Sequence, residues 1–311
     1  MADTRPVDLL AGRPALVVGG GRMGVAIAQI LAAAGIAVTV VEPSAVARAS
    51  VPGRLAQIFR LQGQPCERAA LVSVVAEIDA APPDVAIAIE AAPENVDLKR
   101  NIFRRLDERC PADAILATNT SVIPVQRIAA GVRDPSRVVG THFWNPPYAV
   151  RLVEVVRSEG TSEETVERTL ALMAAVGQQP VRVNKDIPGF IGNRLQHALK
   201  REAIALVQAG VCDAETVDTV VKASFGARLG IMGPLEQSDL VGLNLTLAIH
   251  EVILPDLDTS RTPQKLLVDL VAAGHTGAAA GQGFRHWTSE ARAELQTRLD
   301  RALGGKKGTQ P

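Results

Sequence analysis

"LVVGGGRMGVAIAQILAAAG", residues Leu16 to Gly35, sets three adjacent glycines between a short apolar run and a stretch whose apolar residues recur at helical spacing. Ala15–Val18 predicts a strand, Arg22–Ala34 a helix stopped by Gly35, and Ile36–Val41 a β-branched second strand ending in Glu42-Pro43. Strand, turn, helix and strand in so short a span make a βαβ unit. Gly19, Gly21 and Gly24 form G-x-G-x-x-G across its turn. The first glycine permits the tight turn, the second lets the backbone approach a pyrophosphate, and the third lets helix and strand pack closely. The glycines alone fit a plain turn equally well. Glu42 decides for a cofactor cradle, because a carboxylate at the end of the second strand accepts from the ribose hydroxyls and repels a 2′-phosphate. The candidate cofactor contacts here are Gly19, Gly21, Arg22, Met23, Gly24 and Glu42, and the cofactor is NAD rather than NADP.

Further apolar runs at Val72–Val75, Val85–Ile89 and Ile115–Ala117 alternate with helical stretches, which predicts a parallel sheet buried on both faces. Val138–Thr141 and Leu152–Val156 are strands separated by "HFWNPPYAVR", where Pro146-Pro147 forces a turn. A helix over Ser162–Val176 leads to a strand at Val181–Val183. Beyond Gly189 only helices are predicted, at Phe190–Gln208, Ala214–Ser224, Leu235–Ile253, Lys265–Ala273 and Thr288–Leu303. The fold class is therefore α/β: an N-terminal Rossmann-type doubly wound sheet (1–186) followed by an all-helical C-terminal domain (187–311).

The 311 residues carry no net charge, so nothing in the composition suggests nucleic acid or an anionic membrane as partner. Cys66, Cys110 and Cys212 are odd in number and widely spaced, which argues against a disulfide framework or a zinc site and fits a reducing compartment. The N-terminus has no apolar signal region and no run has the length of a membrane span. A soluble, cytoplasmic protein with a small-molecule substrate and no metal is expected. Leu240–Leu254 is apolar on nearly every face and must be surrounded, so the helical domain predicts a homodimer.

Four segments place polar residues where open α/β sheets bind ligands: "ATNTS", "GTHFWNP", "RLVEVV" and "IPGFIGNR". His142 stands where a strand ends, and Glu154 lies inside the next apolar strand, where an acid is costly without a partner. If the two strands form a hairpin, the pair meets across it, the acid holding one ring nitrogen and leaving the other free as a base. The alternative is a structural histidine at a strand end and a glutamate facing solvent from an edge strand.

Together "VGGGRMGVAIA", "ENVDLKRNIF", "TNTS", "GTHFWNPP" with "LVEVV", and "DIPGFIGNRL" resemble, in order and spacing, the L-3-hydroxyacyl-CoA dehydrogenase family, and "VDTVVKASFGARLGIMGPLEQSDLVGLN" is similar to its C-terminal helical domain. The resemblance implies His142 as catalytic base and Glu154 as the carboxylate that orients it. It implies Ser121 and Asn193 as ligands of the substrate oxygens, and contacts to the nicotinamide side of the cofactor from Glu94, Lys99, Ser121 and Asn145. It also implies a dimer formed through the helical domain.

The chain departs from the family in places. Ala279 stands where a lysine is usual, Arg285 and Trp287 where tyrosines are common, and Ser50–Ala80 offers Arg54, Arg60 and Arg68 instead of lysines for the phosphates of coenzyme A. "FGARLGIMGPLE" is closer to relatives acting on free hydroxy acids, such as carnitine and gulonate dehydrogenases. The expected substrate is an L-3-hydroxyacyl-CoA, with a free 3-hydroxy acid as the alternative. The lysine-based hydroxyacid dehydrogenase class is excluded, since Gly192-Asn193 is followed by Arg194, Leu195 and Gln196. A crystallin-like or NAD-sensing protein without activity is disfavoured because His142, Glu154, Ser121 and Asn193 are all present.

Overall fold

A computed structural model describes residues 5–304 of the chain. Eight strands form one sheet: β1 (Ala15–Val18), β2 (Val38–Val41), β3 (Val72–Val75), β4 (Ile87–Glu90), β5 (Ile115–Thr118), β6 (Val138–Phe143), β7 (Leu152–Val156) and β8 (Gln179–Val183). Their order is β3-β2-β1-β4-β5-β6-β7-β8. The strands from β3 to β6 are parallel, β7 runs antiparallel to β6, and β8 is parallel to β7. The helices are α1 (Pro6–Leu9), α2 (Arg22–Ala33), α3 (Ala45–Leu61), α4 (Val96–Arg109), α5 (Val125–Ala129), α6 (Glu163–Ala175), α7 (Gly192–Gln208), α8 (Ala214–Ala223), α9 (Pro234–Val241), α10 (Leu243–Ile253), α11 (Lys265–Ala272) and α12 (Ser289–Gly304).

The strand residues alternate between two buried faces, and this explains why the runs read as continuously apolar. Val17, Ile87, Ile89, Ile115 and Val139 join Ile27, Leu31, Leu172 and Met173 of α2 and α6 on one side. Leu16, Val18, Leu116 and Val138 join Ile102, Phe103, Leu106 and Ile128 of α4 and α5 on the other. Strand order reverses between β1 and β4, which opens a crevice at their carboxyl ends.

The described residues divide into two compact units, residues 5–194 with 303–304, and Leu195–Ala302. The first extends somewhat past residue 186 because Phe190 is fully buried in the sheet's core and the next two residues bond to β7. In the second, the helix expected over Leu235–Ile253 is two helices, α9 and α10. Gly242 between them adopts φ +95°, which terminates α9 and redirects the chain. Among the described residues no strand follows β8; Gly277, Gln282 and His286 form only isolated bridges.

Candidate active site

The glycine loop joins β1 to α2 at the switch point. Gly19 has φ +113°, and a Cβ there would stand 2.7 Å from the Ala91 carbonyl oxygen at the end of β4. A Cβ on Gly24 would collide with the Gly19 carbonyl, so helix and loop approach at backbone distance. Gly21 has open space on its Cβ side. It is also the N-cap of α2 and offers no side chain to the first turn, whereas Ser44, Asn95 and Ser162 cap α3, α4 and α6. The first N–H groups of α2 are thus left for an anionic ligand. Glu42 is fixed by two backbone donors, Gly20 N–H to Oε2 at 2.8 Å and Ser44 N–H to Oε1 at 2.9 Å. Its carboxylate and the loop line one cleft of about 770 Å³, together with Arg22, Met23 and Leu98. These residues fit a dinucleotide lying across the crevice.

The second half of the sheet brings the polar constellation together. In the antiparallel register of β6 and β7, His142 stands opposite Glu154. His142 Nδ1 and Glu154 Oε2 are 2.7 Å apart, with both side chains almost fully buried. Glu154 Oε1 accepts from the Ile191 and Gly192 N–H groups, at 2.9 and 3.0 Å. Burial pushes the Glu154 carboxyl up, but the His142 hydrogen bond and the two backbone N–H groups outweigh it, so its pKa lies below the ordinary glutamate value. Trp144 and Phe190 flank the imidazole, with ring centroids at 5.3 and 5.6 Å. A side chain at Gly192 would run into the Trp144 indole, which accounts for a glycine there.

Asn193 Nδ2 donates to the Ser121 carbonyl at 3.0 Å, tying the "TNTS" turn to the start of α7. Ser121, His142, Asn145 and Asn193 line a second cleft of about 320 Å³, together with Arg22, Met23, Phe143 and Trp144. Arg22 and Met23 therefore face both clefts.

Sequence reasoning missed Glu90, which reads as the polar end of an apolar strand. It is fully buried, accepts from Lys99 Nζ at 2.7 Å and from the Thr118 hydroxyl at 2.7 Å, and caps the turn through the Ala92 N–H. Its backbone carbonyl takes the Asn119 N–H, and Asn119 Oδ1 takes the N–H of Phe143, beside His142. A polar web thus crosses from β4 through β5 to β6. Burial raises the Glu90 pKa more than Lys99, Thr118 and Ala92 lower it.

The same web engages Lys99. Its side chain is 1% exposed and its amine is engaged by Glu90 and the Ala92 carbonyl, because a buried carboxylate demands a counter-charge. Lys99 lies 3.8 Å from Glu94, which in turn accepts from the Thr120 hydroxyl and the Ser121 N–H. Lys99 therefore reaches the site through Glu94 and the Ser121 turn, not at the surface of the cleft.

The arginines expected at a coenzyme A tail are not gathered at the site. Arg54 Nη1 donates to the Gly20 carbonyl at 2.8 Å, which places it on the glycine loop. Arg60 is in the last turn of α3, a helix that starts just beyond the carboxyl end of β2 and runs away from it. Arg68 lies beside Gly35, just past the far end of α2. Helices that begin at the carboxyl edge of the sheet carry their last turns to the opposite edge.

Residues 15–187 match the family described as 3-hydroxyacyl-CoA dehydrogenase, NAD binding domain, and residues 189–287 its C-terminal domain. A probable 3-hydroxybutyryl-CoA dehydrogenase of Bacillus subtilis is 39% identical over 282 residues, covering 86% of this chain and 95% of that protein. A 5-formyl-3-hydroxy-2-methylpyridine 4-carboxylate 5-dehydrogenase of Mesorhizobium japonicum is 32% identical over 292 residues, covering 92% and 94%. A solved structure of a 5-dehydrogenase for that pyridine carboxylic acid, described as an NAD+ dependent dismutase, superposes with a TM-score of 0.87 at 31% identity, covering 94% of this chain and 96% of that one. NAD is the cofactor.

Proposed function

The chain belongs to the 3-hydroxyacyl-CoA dehydrogenase family of NAD-dependent oxidoreductases, and from that premise we propose that it interconverts an L-3-hydroxyacyl compound and its 3-keto form, with His142 and Glu154 as the catalytic pair. The observation that carries this is the 2.7 Å His142–Glu154 contact at a cleft that Ser121 and Asn193 share. A charged carboxylate can only accept, so Nδ1 carries its proton and Nε2 keeps the lone pair that takes the substrate's hydroxyl proton. Glu154 stays ionised at neutral pH and stabilises the imidazolium that forms, and general-base catalysis by His142 contributes about 10²–10⁴-fold. The Ser121 hydroxyl and the remaining Asn193 amide hydrogen donate to the reacting oxygen. Bound NAD supplies the hydride acceptor. Gly19, Gly21, Met23 and Gly24, the backbone N–H of Arg22 and the Glu42 carboxylate would hold it, Asn145 would border its reactive end, and Glu94 and Lys99 would act on that end through Ser121.

Coenzyme A is the acyl carrier in the reading that the family supports. A free 3-hydroxy acid is the second reading, favoured by the dispersal of Arg54, Arg60 and Arg68. We further propose a homodimer formed by the helical unit and a cytoplasmic setting. No described helix is long and apolar enough to cross a membrane. The reaction is tested by following NADH oxidation with acetoacetyl-CoA and with acetoacetate. Turnover of at least one is expected, with NADPH poorer by about tenfold or more because Glu42 opposes a 2′-phosphate. Failure with both 3-keto compounds would contradict the reading.

A further inference from the structure

Arg22 is the first residue of α2, where the positive end of the helix dipole disfavours a cation. Several arginines of the same unit have carboxylates, Arg13 with Asp113, Arg133 and Arg137 with Asp107, Arg182 with Glu163, and Arg48 and Arg54 bond to backbone carbonyls. Arg22 is exposed and has neither hydrogen bond nor ion pair among the described residues. Among the residues lining the catalytic cleft it is the one permanently charged, the others being Met23, Ser121, His142, Phe143, Trp144, Asn145 and Asn193. An exposed guanidinium left unpaired at the positive end of a helix, on the lining of a catalytic cleft, is available to an anion brought by a ligand. The cofactor's pyrophosphate accounts for the uncapped N–H groups of α2, but Arg22 also lines the cleft that holds Ser121, His142 and Asn193.

We propose that Arg22 is the specificity-determining residue of this site and that it receives a carboxylate carried by the substrate, whose class is therefore a free hydroxy or keto acid. This rests on the proposed reaction at His142 and selects its second reading, the free acid, over the thioester. In a 3-hydroxy acid the carboxylate is separated from the reacting carbon by a single methylene, so one small molecule can meet His142 with its hydroxyl and Arg22 with its acid group inside one cleft. The guanidinium fork matches a carboxylate in bidentate fashion. A thioester presents only a neutral carbonyl at the same position, which gives a weaker hydrogen bond.

The test compares wild type with Arg22→Gln, and with Arg22→Lys as the conservative variant, using acetoacetate, its methyl ester and acetoacetyl-CoA as probes. Wild type should favour acetoacetate over the ester in kcat/KM. Arg22→Gln should lower kcat/KM for acetoacetate about 30-fold, mainly through KM, while changing the ester and the Kd of NADH by no more than about twofold. Arg22→Lys should recover part of the loss. Equal losses on acid and ester, or a loss confined to NADH affinity, would overturn the assignment and make Arg22 a ligand of the cofactor alone. Binding of acetoacetate to the enzyme–NADH complex, read by NADH fluorescence, decides the case if none of the probes turns over. Weaker binding in Arg22→Gln then supports the carboxylate contact while the proposed reaction fails, and an unchanged Kd overturns the contact itself.

Discussion

Helix α6, in the sheet-bearing unit, buries Val166, Thr169, Leu172 and Met173, whereas α10, the more apolar of the two by sequence, buries none of its 11 residues. The contrast extends through both units. The strands β1, β2, β4, β5 and β6 are buried throughout. The helices α8 to α11 contain no buried residue, and Ile231, Leu235, Leu240 and Val252 are exposed by 89, 79, 74 and 76%. Each such side chain forgoes roughly 1.5–3 kcal/mol that burial would provide. The first unit buries most of its apolar side chains, with Val46, Leu61 and Val122 among the exceptions. The second leaves many more exposed, which is the ground for the proposed homodimer.

The contrast can be broken most directly at the level of assembly. Light scattering at micromolar concentration should give about twice the 32.8 kDa chain mass. Leu240→Glu together with Leu247→Glu should reduce it to a single chain, with helical circular dichroism retained at low temperature. A wild-type monomer would remove the reason offered for the exposed helices.

Inside the sheet-bearing unit the stakes are electrostatic. Lys99→Met leaves Glu90 buried and uncompensated, and should cost about 3–5 kcal/mol in urea unfolding. The double variant Glu90→Leu with Lys99→Met should recover most of that loss, because no charge is then stranded. If the single variant unfolded like wild type, the pair would not be the brace described above.

How far these features could be read from residues alone differs in the same way. The strands, the glycine loop and the meeting of His142 with Glu154 follow from period, turn chemistry and the cost of an acid in an apolar strand, all of them local signals. Glu90 escaped because a polar residue at a strand's end looks like a boundary, and its burial depends on Lys99 arriving from the following helix. Arg60 and Arg68 look close to the site in sequence, but the length and direction of α2 and α3 carry them to the other edge of the sheet. The split at Gly242 was hidden because apolar residues continue across it, and only the backbone conformation interrupts the helix.

A smaller effect separates the two buried carboxyls by sign. Glu154 has its folded pKa below the ordinary 4.5, so its contribution to stability is present above that value and is lost as pH falls through the lower, folded pKa. Glu90 has its folded pKa above 4.5, so its share is present in acid and is lost as pH rises through the raised value. Glu154→Gln should therefore be less stable than wild type near neutrality, and the gap should narrow on acidification below about pH 4.5. A gap that stayed constant with pH would place the loss in packing instead.

The proposed reaction depends above all on His142 acting on the substrate and not on the cofactor. Single-turnover NADH oxidation by acetoacetyl-CoA or acetoacetate, whichever the wild type uses, measures this in His142→Ala. The expected result is a fall of about 10²–10⁴-fold in the hydride-transfer rate with the Kd for NADH unchanged within about twofold. A variant that kept more than about a tenth of the wild-type rate, or lost NADH affinity in proportion to rate, would contradict the assignment.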